Sequence, residues 1–97
     1  MLTSKQRSNL RSIASNIDTI MQVGKQGINE NLIKSLSDAL EAREIIKISV
    51  LENCDESARE VGEILAKELK AEFVAAIGRK VILDRKSSKK NFEHIEF

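Results

Sequence analysis

Gly24-Lys25-Gln26-Gly27 is the one stretch of the chain with two glycines within four residues. Glycine has no Cβ, so it enters left-handed backbone conformations and lets a ligand's backbone lie close. Lys25 and Gln26 stand between the glycines and present whatever the turn exposes. Asn29 follows as an N-cap for a helix beginning at Glu30. A lysine beside a glycine turn, with a helix N-terminus aimed at the same point, has the chemistry to hold a phosphodiester. The same four residues also suit a plain strand-to-helix turn, so the rest of the chain has to decide.

Other chemistry finds little support. Cys54 and His94 are forty positions apart, with no carboxylate at a metal-ligand interval. No base accompanies Cys54 or a serine as a nucleophile would need. The carboxylate pairs Glu56/Glu60 and Glu60/Glu63 fit a solvated helix face. The glycine loop lacks the spacing of a nucleotide phosphate-binding loop. These patterns point away from an enzyme, and no metal site and no cofactor are expected. A small enzyme using Cys54 is the weakest alternative.

The elements that must position the loop follow from periodicity. Thr3 and Gln6 form a capping-box pattern that opens a helix with apolar positions Leu10, Ile13, Ala14 and Ile17. A short strand spans residues 19–23. A second helix, residues 30–42, turns Leu32, Ile33, Leu36, Ala39 and Leu40 inward. Residues 45–51 alternate as a strand, with Ile46, Ile48 and Val50 on one face and Ile45, Lys47, Ser49 and Leu51 on the other. Asp55 caps a third helix, residues 56–70, which has Gly62 inside it, where a closely approaching strand would explain a glycine. Residues 72–77 and 80–85 form a hairpin turning at Gly78-Arg79, with Phe73, Ala75 and Ile77 expected on one face. The fold class is α/β in the α+β sense: a two-layer helix-strand-helix-strand-helix-strand-strand chain. It has a four-stranded mixed sheet, mostly parallel pairs, and helices mainly on one face.

The net charge of +1 conceals a segregated distribution. Residues 1–34 sum to +3, residues 35–72 to −5 and residues 79–90 to +5. The bases include Lys5, Arg7 and Arg11 on the first helix, Lys25 in the loop, and Arg79, Lys80, Arg85, Lys86, Lys89 and Lys90 toward the end. If the first helix and the hairpin flank the loop, they form a basic groove around it. With no tyrosine or tryptophan, recognition rests on charge, loop N–H groups and helix ends rather than on an aromatic platform. RNA is favoured and DNA is not expected, because no helix carries a major-groove array. The alternative is a protein-interaction module that docks on a ribosomal protein or an assembly factor through the acidic third-helix face at Glu56, Glu60 and Glu63.

Ninety-seven residues, 41% hydrophobic and 32% charged, suit one domain over residues 1–86. Residues 87–97 read as a tail, basic at first and then apolar and acidic. One cysteine requires no oxidising compartment, and neither a signal peptide nor a membrane span is readable. The cytoplasm is therefore the expected location.

Several of these motifs resemble one family. Lys5-Gln6-Arg7, Leu10-Arg11, Ala14, the run from Val23 to Ile28 and the ending Ile77-Gly78-Arg79-Lys80-Val81-Ile82-Leu83-Asp84-Arg85 look like the small bacterial YhbY-type proteins. These are stand-alone versions of the chloroplast RNA splicing and ribosome maturation (CRM) domain. The similarity spans about residues 2–86. It implies three helices and a four-stranded mixed sheet, similar to the C-terminal domain of bacterial translation initiation factor three. It also implies binding of ribosomal RNA in precursors of the large subunit. The family's GxxG loop maps onto Gly24, Lys25, Gln26 and Gly27, and its basic helix start onto Lys5, Arg7 and Arg11. This chain departs at Asp18-Thr19, where Lys-Pro is usual, and at Asp84, where a tyrosine is usual.

Overall fold

The computed structural model describes residues 3–25 and 27–86. Gln26 and the tail 87–97, with Lys89, Lys90 and His94, lie outside the described residues. The elements are α1 (Ser4–Ala14), β1 (Met21–Val23), α2 (Glu30–Arg43), β2 (Ile45–Val50), α3 (Ala58–Leu69), β3 (Glu72–Ile77) and β4 (Lys80–Asp84).

Local chemistry sets the helix starts. The Thr3 hydroxyl accepts from the Gln6 N–H at 3.1 Å, and the Gln6 side chain accepts from the Thr3 N–H at 3.0 Å. Asn29 Oδ1 accepts from the Leu32 N–H at 2.8 Å to open α2. The third helix starts later than expected, because Ser57 and Glu60 form a second capping box and Asp55 does not cap it. Together the Ser57 hydroxyl and the Glu60 carboxylate satisfy two N–H groups at the helix end, which an isolated Asp55 does not match.

The sheet order is β1-β2-β4-β3. β1 and β2 are parallel, whereas β2–β4 and β3–β4 are antiparallel. The expectation of mostly parallel pairs is therefore corrected. The α3 crossover carries β3 past β2, and the hairpin folds β4 back between them, so the two co-directional strands never touch.

The alternation of β2 separates two cores. Ile46, Ile48 and Val50 join Val81 and Leu83 under Leu36 and Leu40 of α2 and Val61, Leu65 and Leu69 of α3. Ile45 and Ile82 face the opposite way and pack with Val74 under Leu10 and Ala14 of α1. Two helices thus share one face, as expected, while α1 covers part of the other and leaves the rest open.

Gly62 answers a packing need. A Cβ there would run into the Phe73 ring and lie 2.9 Å from Val81 Cγ1, which outweighs alanine's helix preference of about 1 kcal/mol. The register shifts between Phe73 and Ala75, a bulge that re-aims side chains. Phe73 therefore meets α3, while Ala75 packs in the α1 core and Ile77 lines a pocket with Arg11. These three residues do not share a face as the alternation predicts.

Candidate nucleic-acid interface

The glycine loop leaves β1 beside the end of β2. The Gly27 N–H donates to the Gly24 carbonyl at 2.9 Å, closing a tight turn with Lys25 exposed at its tip. Gly27 has φ +65°, the left-handed region that glycine occupies without strain. Gly24 has a different reason to be small. A Cβ there would lie 3.3 Å from both Asn53 Oδ1 and Leu51 Cδ1. Gln22, Gly24, Lys25, Gly27, Asn29 and Leu32 line an open hollow of about 240 Å³ at the start of α2. Asn29 belongs to this wall, although its carboxamide oxygen is held by the helix cap.

The β3–β4 hairpin turns at the same end of the sheet. Gly78 has φ +60°, and the Arg79 carbonyl accepts from the Val50 N–H at 2.7 Å. Strand pairing then sets a row of side chains across the face that α1 only partly covers. Gln22 pairs with Ser49, Ser49 with Lys80, and Lys80 with Ile77. Lys80 is two strand spacings, roughly 10 Å, from Gln22 on the wall of the loop hollow.

Helix α1 crosses the sheet from β3 toward β2, with Arg7, Arg11 and Ser15 one turn apart on one side. Arg7 and Arg11 border the β3 edge, together with Arg59 and Glu63 of α3. Arg11 and Ser15 also meet Lys47, Ile77, Lys80 and Ile82 in a smaller pocket. Lys47 Nζ lies 3.4 Å from the Ala14 carbonyl, spanning from sheet to helix. The first helix and the hairpin therefore do meet, and Gln22 and Ser49 continue their surface to the loop. Lys5 is exposed in the first turn of α1 and lines neither of these pockets.

Arg85, one of the candidate contacts, is engaged within the fold. Its guanidinium donates to the Leu69 carbonyl at 2.9 Å and to the Ser37 carbonyl and hydroxyl at 3.0 Å each, and lies 3.7 Å from Glu41. It ties the end of α3 to α2. Because β4 runs antiparallel to β2, Arg85 and the exposed Lys86 leave the sheet at the end opposite the loop. The structure does not bring these two to the other cations.

The acidic side comes closer to the loop than charge sums predict. A Cβ on Gly27 would lie 3.9 Å from Glu56 Oε2. Glu52, Asp55, Glu56 and Glu60 line a depression of about 500 Å³ that reaches Gly78 and Arg79. The contact between Arg79 and Glu52 is 3.9 Å and exposed, so it holds Arg79 weakly. Cys54 donates to Glu56 Oε2 at 3.4 Å. Burial, assisted by the Glu56 carboxylate, raises the Cys54 thiol above its ordinary value, the reverse of what a nucleophile needs.

Lys47, Gln22 and Ser49 escaped the sequence reading. The available signal was the mixed face of β2, where a lysine alternates with isoleucines. Among the described residues no group of three or more His, Cys, Asp or Glu could hold a metal, and no helix is long and apolar enough to cross a membrane.

The four-stranded mixed sheet, the glycine turn before a capped helix and the cations at one end of the sheet define an RNA-binding module of the CRM type. The sequence profile of the CRS1 / YhbY (CRM) domain matches residues 2–85, and the chain belongs to this RNA-binding family. It is 50% identical over 91 residues to a Bacillus subtilis protein named probable RNA-binding protein YqeI, covering 94% of each chain. A Haemophilus influenzae protein named RNA-binding protein is 28% identical over 86 residues, covering 89% of this chain and 87% of that one. The solution structure of a Staphylococcus aureus hypothetical protein superposes with a TM-score of 0.78 at 46% identity, covering 94% of this chain and 95% of the other. The expected family and fold are thereby established.

Proposed function

We propose that this chain is a non-enzymatic binder of ribosomal RNA, acting in the cytoplasm on precursors of the large ribosomal subunit. Residues 1–86 form the binding unit, with 87–97 as an appended tail. The turn at Gly24 and Gly27 sets Lys25 and the start of α2 against one stretch of backbone. Arg7, Arg11, Lys80 and Arg79 hold neighbouring phosphates, and Gln26 is assigned to the same contact. The observation that carries this reading is the Gln22–Ser49–Lys80–Ile77 row, which joins the loop hollow to the α1 cations on one surface. Lys5 extends the positive field of α1 rather than the contact itself.

Crosslinking in cells followed by sequencing of the attached RNA tests the proposal. Large-subunit rRNA and its precursors should dominate the reads, with crosslinked peptides from the loop and α1. Reads spread over messenger RNA, or crosslinks confined to α3, would overturn it.

A second reading draws on the depression at Glu52, Asp55, Glu56 and Glu60, whose charge would suit a basic ribosomal protein. Association with precursor particles that persists after RNA digestion would favour that reading. Loss of association on digestion favours RNA.

A further inference from the structure

We propose that the pocket between α1 and the sheet holds a single unstacked pyrimidine of a bound RNA strand. This inference rests on the RNA-binding reading above and assigns it a nucleotide subsite. The pocket is lined by Arg11, Ser15, Lys47, Ile77, Lys80 and Ile82, with a volume of about 130 Å³. A cavity of about 150 Å³ accepts a benzene ring, so this space is on the scale of one six-membered ring and smaller than a fused purine.

The lining divides the work of binding a nucleotide. Ile77 and Ile82 form an apolar floor. Ile77 is 50% exposed, an arrangement that leaves an apolar surface in water until something flat covers it. Arg11, Lys47 and Lys80 stand around that floor, and no carboxylate lines it. A guanidinium plane stacks on a base and also pairs with phosphate, and the two ammonium groups serve the flanking phosphates. The Ser15 hydroxyl donates its hydrogen to the Ser12 carbonyl at 2.7 Å, so it faces a base edge as an acceptor.

The bulge in β3 makes the site. Without the register shift after Phe73, the side chains of Ala75 and Ile77 would alternate onto the opposite face with Phe73. The pocket supplies an apolar seat for an extruded base in a chain without tyrosine or tryptophan. It also lies on the row that ends at Gln22, so a strand with one base seated here runs on toward the glycine loop.

The test uses methyl-resolved NMR on the full chain, with uridine 5′-monophosphate and ribose 5-phosphate as paired probes. Uridine 5′-monophosphate should shift the Ile77 and Ile82 δ1-methyl signals in a saturable way, and ribose 5-phosphate should leave them in place. Ile77→Ser, at an exposed position that the fold tolerates, should weaken an eight-residue oligouridylate by roughly five-fold or more. Lys47→Met, which keeps the apolar stem, should weaken it to a similar extent. Equal methyl shifts with both probes, unmoved methyls, or an unchanged oligouridylate affinity in Ile77→Ser would overturn the pocket assignment. In those cases sensitivity of RNA binding to Lys25→Ala would leave the wider RNA-binding reading standing. Failure of every RNA to bind would overturn both.

Discussion

The two ends of the sheet use the same residue types for different purposes. At the loop end, Lys25, Arg79, Lys80 and Arg11 are exposed; Arg11 and Lys80 line one pocket, Lys25 the loop hollow, and Arg79 the edge of the acidic depression. At the other end Arg85 spends three hydrogen bonds on Leu69 and Ser37. Asp84 there is buried beside Ile45 and Glu72, its partners across the strands. Three of the five Arg85 N–H donors are committed to protein oxygens, so turning them to a phosphate would break the tie between α3 and α2, whereas an exposed arginine gives up little to do so. One end is therefore built to hold the fold, and the other leaves its charge available to a partner.

Breaking the structural end should give the largest effect on stability. Arg85→Ala leaves the Leu69 and Ser37 carbonyls without their partner and should cost about 2–3 kcal/mol in urea unfolding. The RNA affinity of the folded protein should stay within about two-fold of wild type. A large affinity loss with unchanged stability would merge the two ends.

Asp84 should give the next effect, with the opposite sign. Burial first, then the Glu44 and Glu72 carboxylates, push its carboxyl up to about 6. The folded state therefore holds this proton more tightly than the unfolded chain does. Stability should decline as pH rises from about 4 to about 6 and stay lower above that. Asp84→Asn should remove this dependence and gain about 1–2 kcal/mol at pH 7 relative to wild type. Thermal melts at pH 4 and pH 7 check it, and an identical gap at both would contradict the assignment.

The loop end should show smaller effects on stability and clear ones on binding. Gly27→Ala forces a Cβ into φ +65° and should cost about 1 kcal/mol of stability. RNA affinity should also fall, because the turn that aims Lys25 is strained. Lys25→Ala should leave the melting temperature unchanged and weaken different RNA sequences alike, by about three- to five-fold. A loss confined to one sequence would mean that Lys25 reads a base.

Features fixed by neighbours in sequence were legible beforehand. The Thr3 capping box, the Asn29 cap and the glycine turn at Gly78 each depend on a few adjacent residues, and each stands where the pattern puts it. Ser57 was legible in the same way, but Asp55 offered a competing cap two residues earlier. What the sequence concealed depends on contacts between distant residues. The placement of β4 between β2 and β3 and the bulge after Phe73 come from sheet pairing, not local pattern. Arg85 looks like Arg11 in a list of bases, and only the approach of Leu69 and Ser37 separates them. Lys47 was hidden by the opposite ambiguity, since a lysine on a mixed strand face reads as solvated until α1 and β4 are seen to border it.

The salt dependence of RNA binding tests the central claim most directly. Six cations of α1, the loop and the sheet, Arg7, Arg11, Lys25, Lys47, Arg79 and Lys80, should give log affinity falling with log salt at a slope of roughly −4 to −5. The combined variant Arg11→Ala, Lys25→Ala and Lys80→Ala should be shallower by about 2–3. A wild-type slope near zero, or a combined variant with the wild-type slope, would contradict the account.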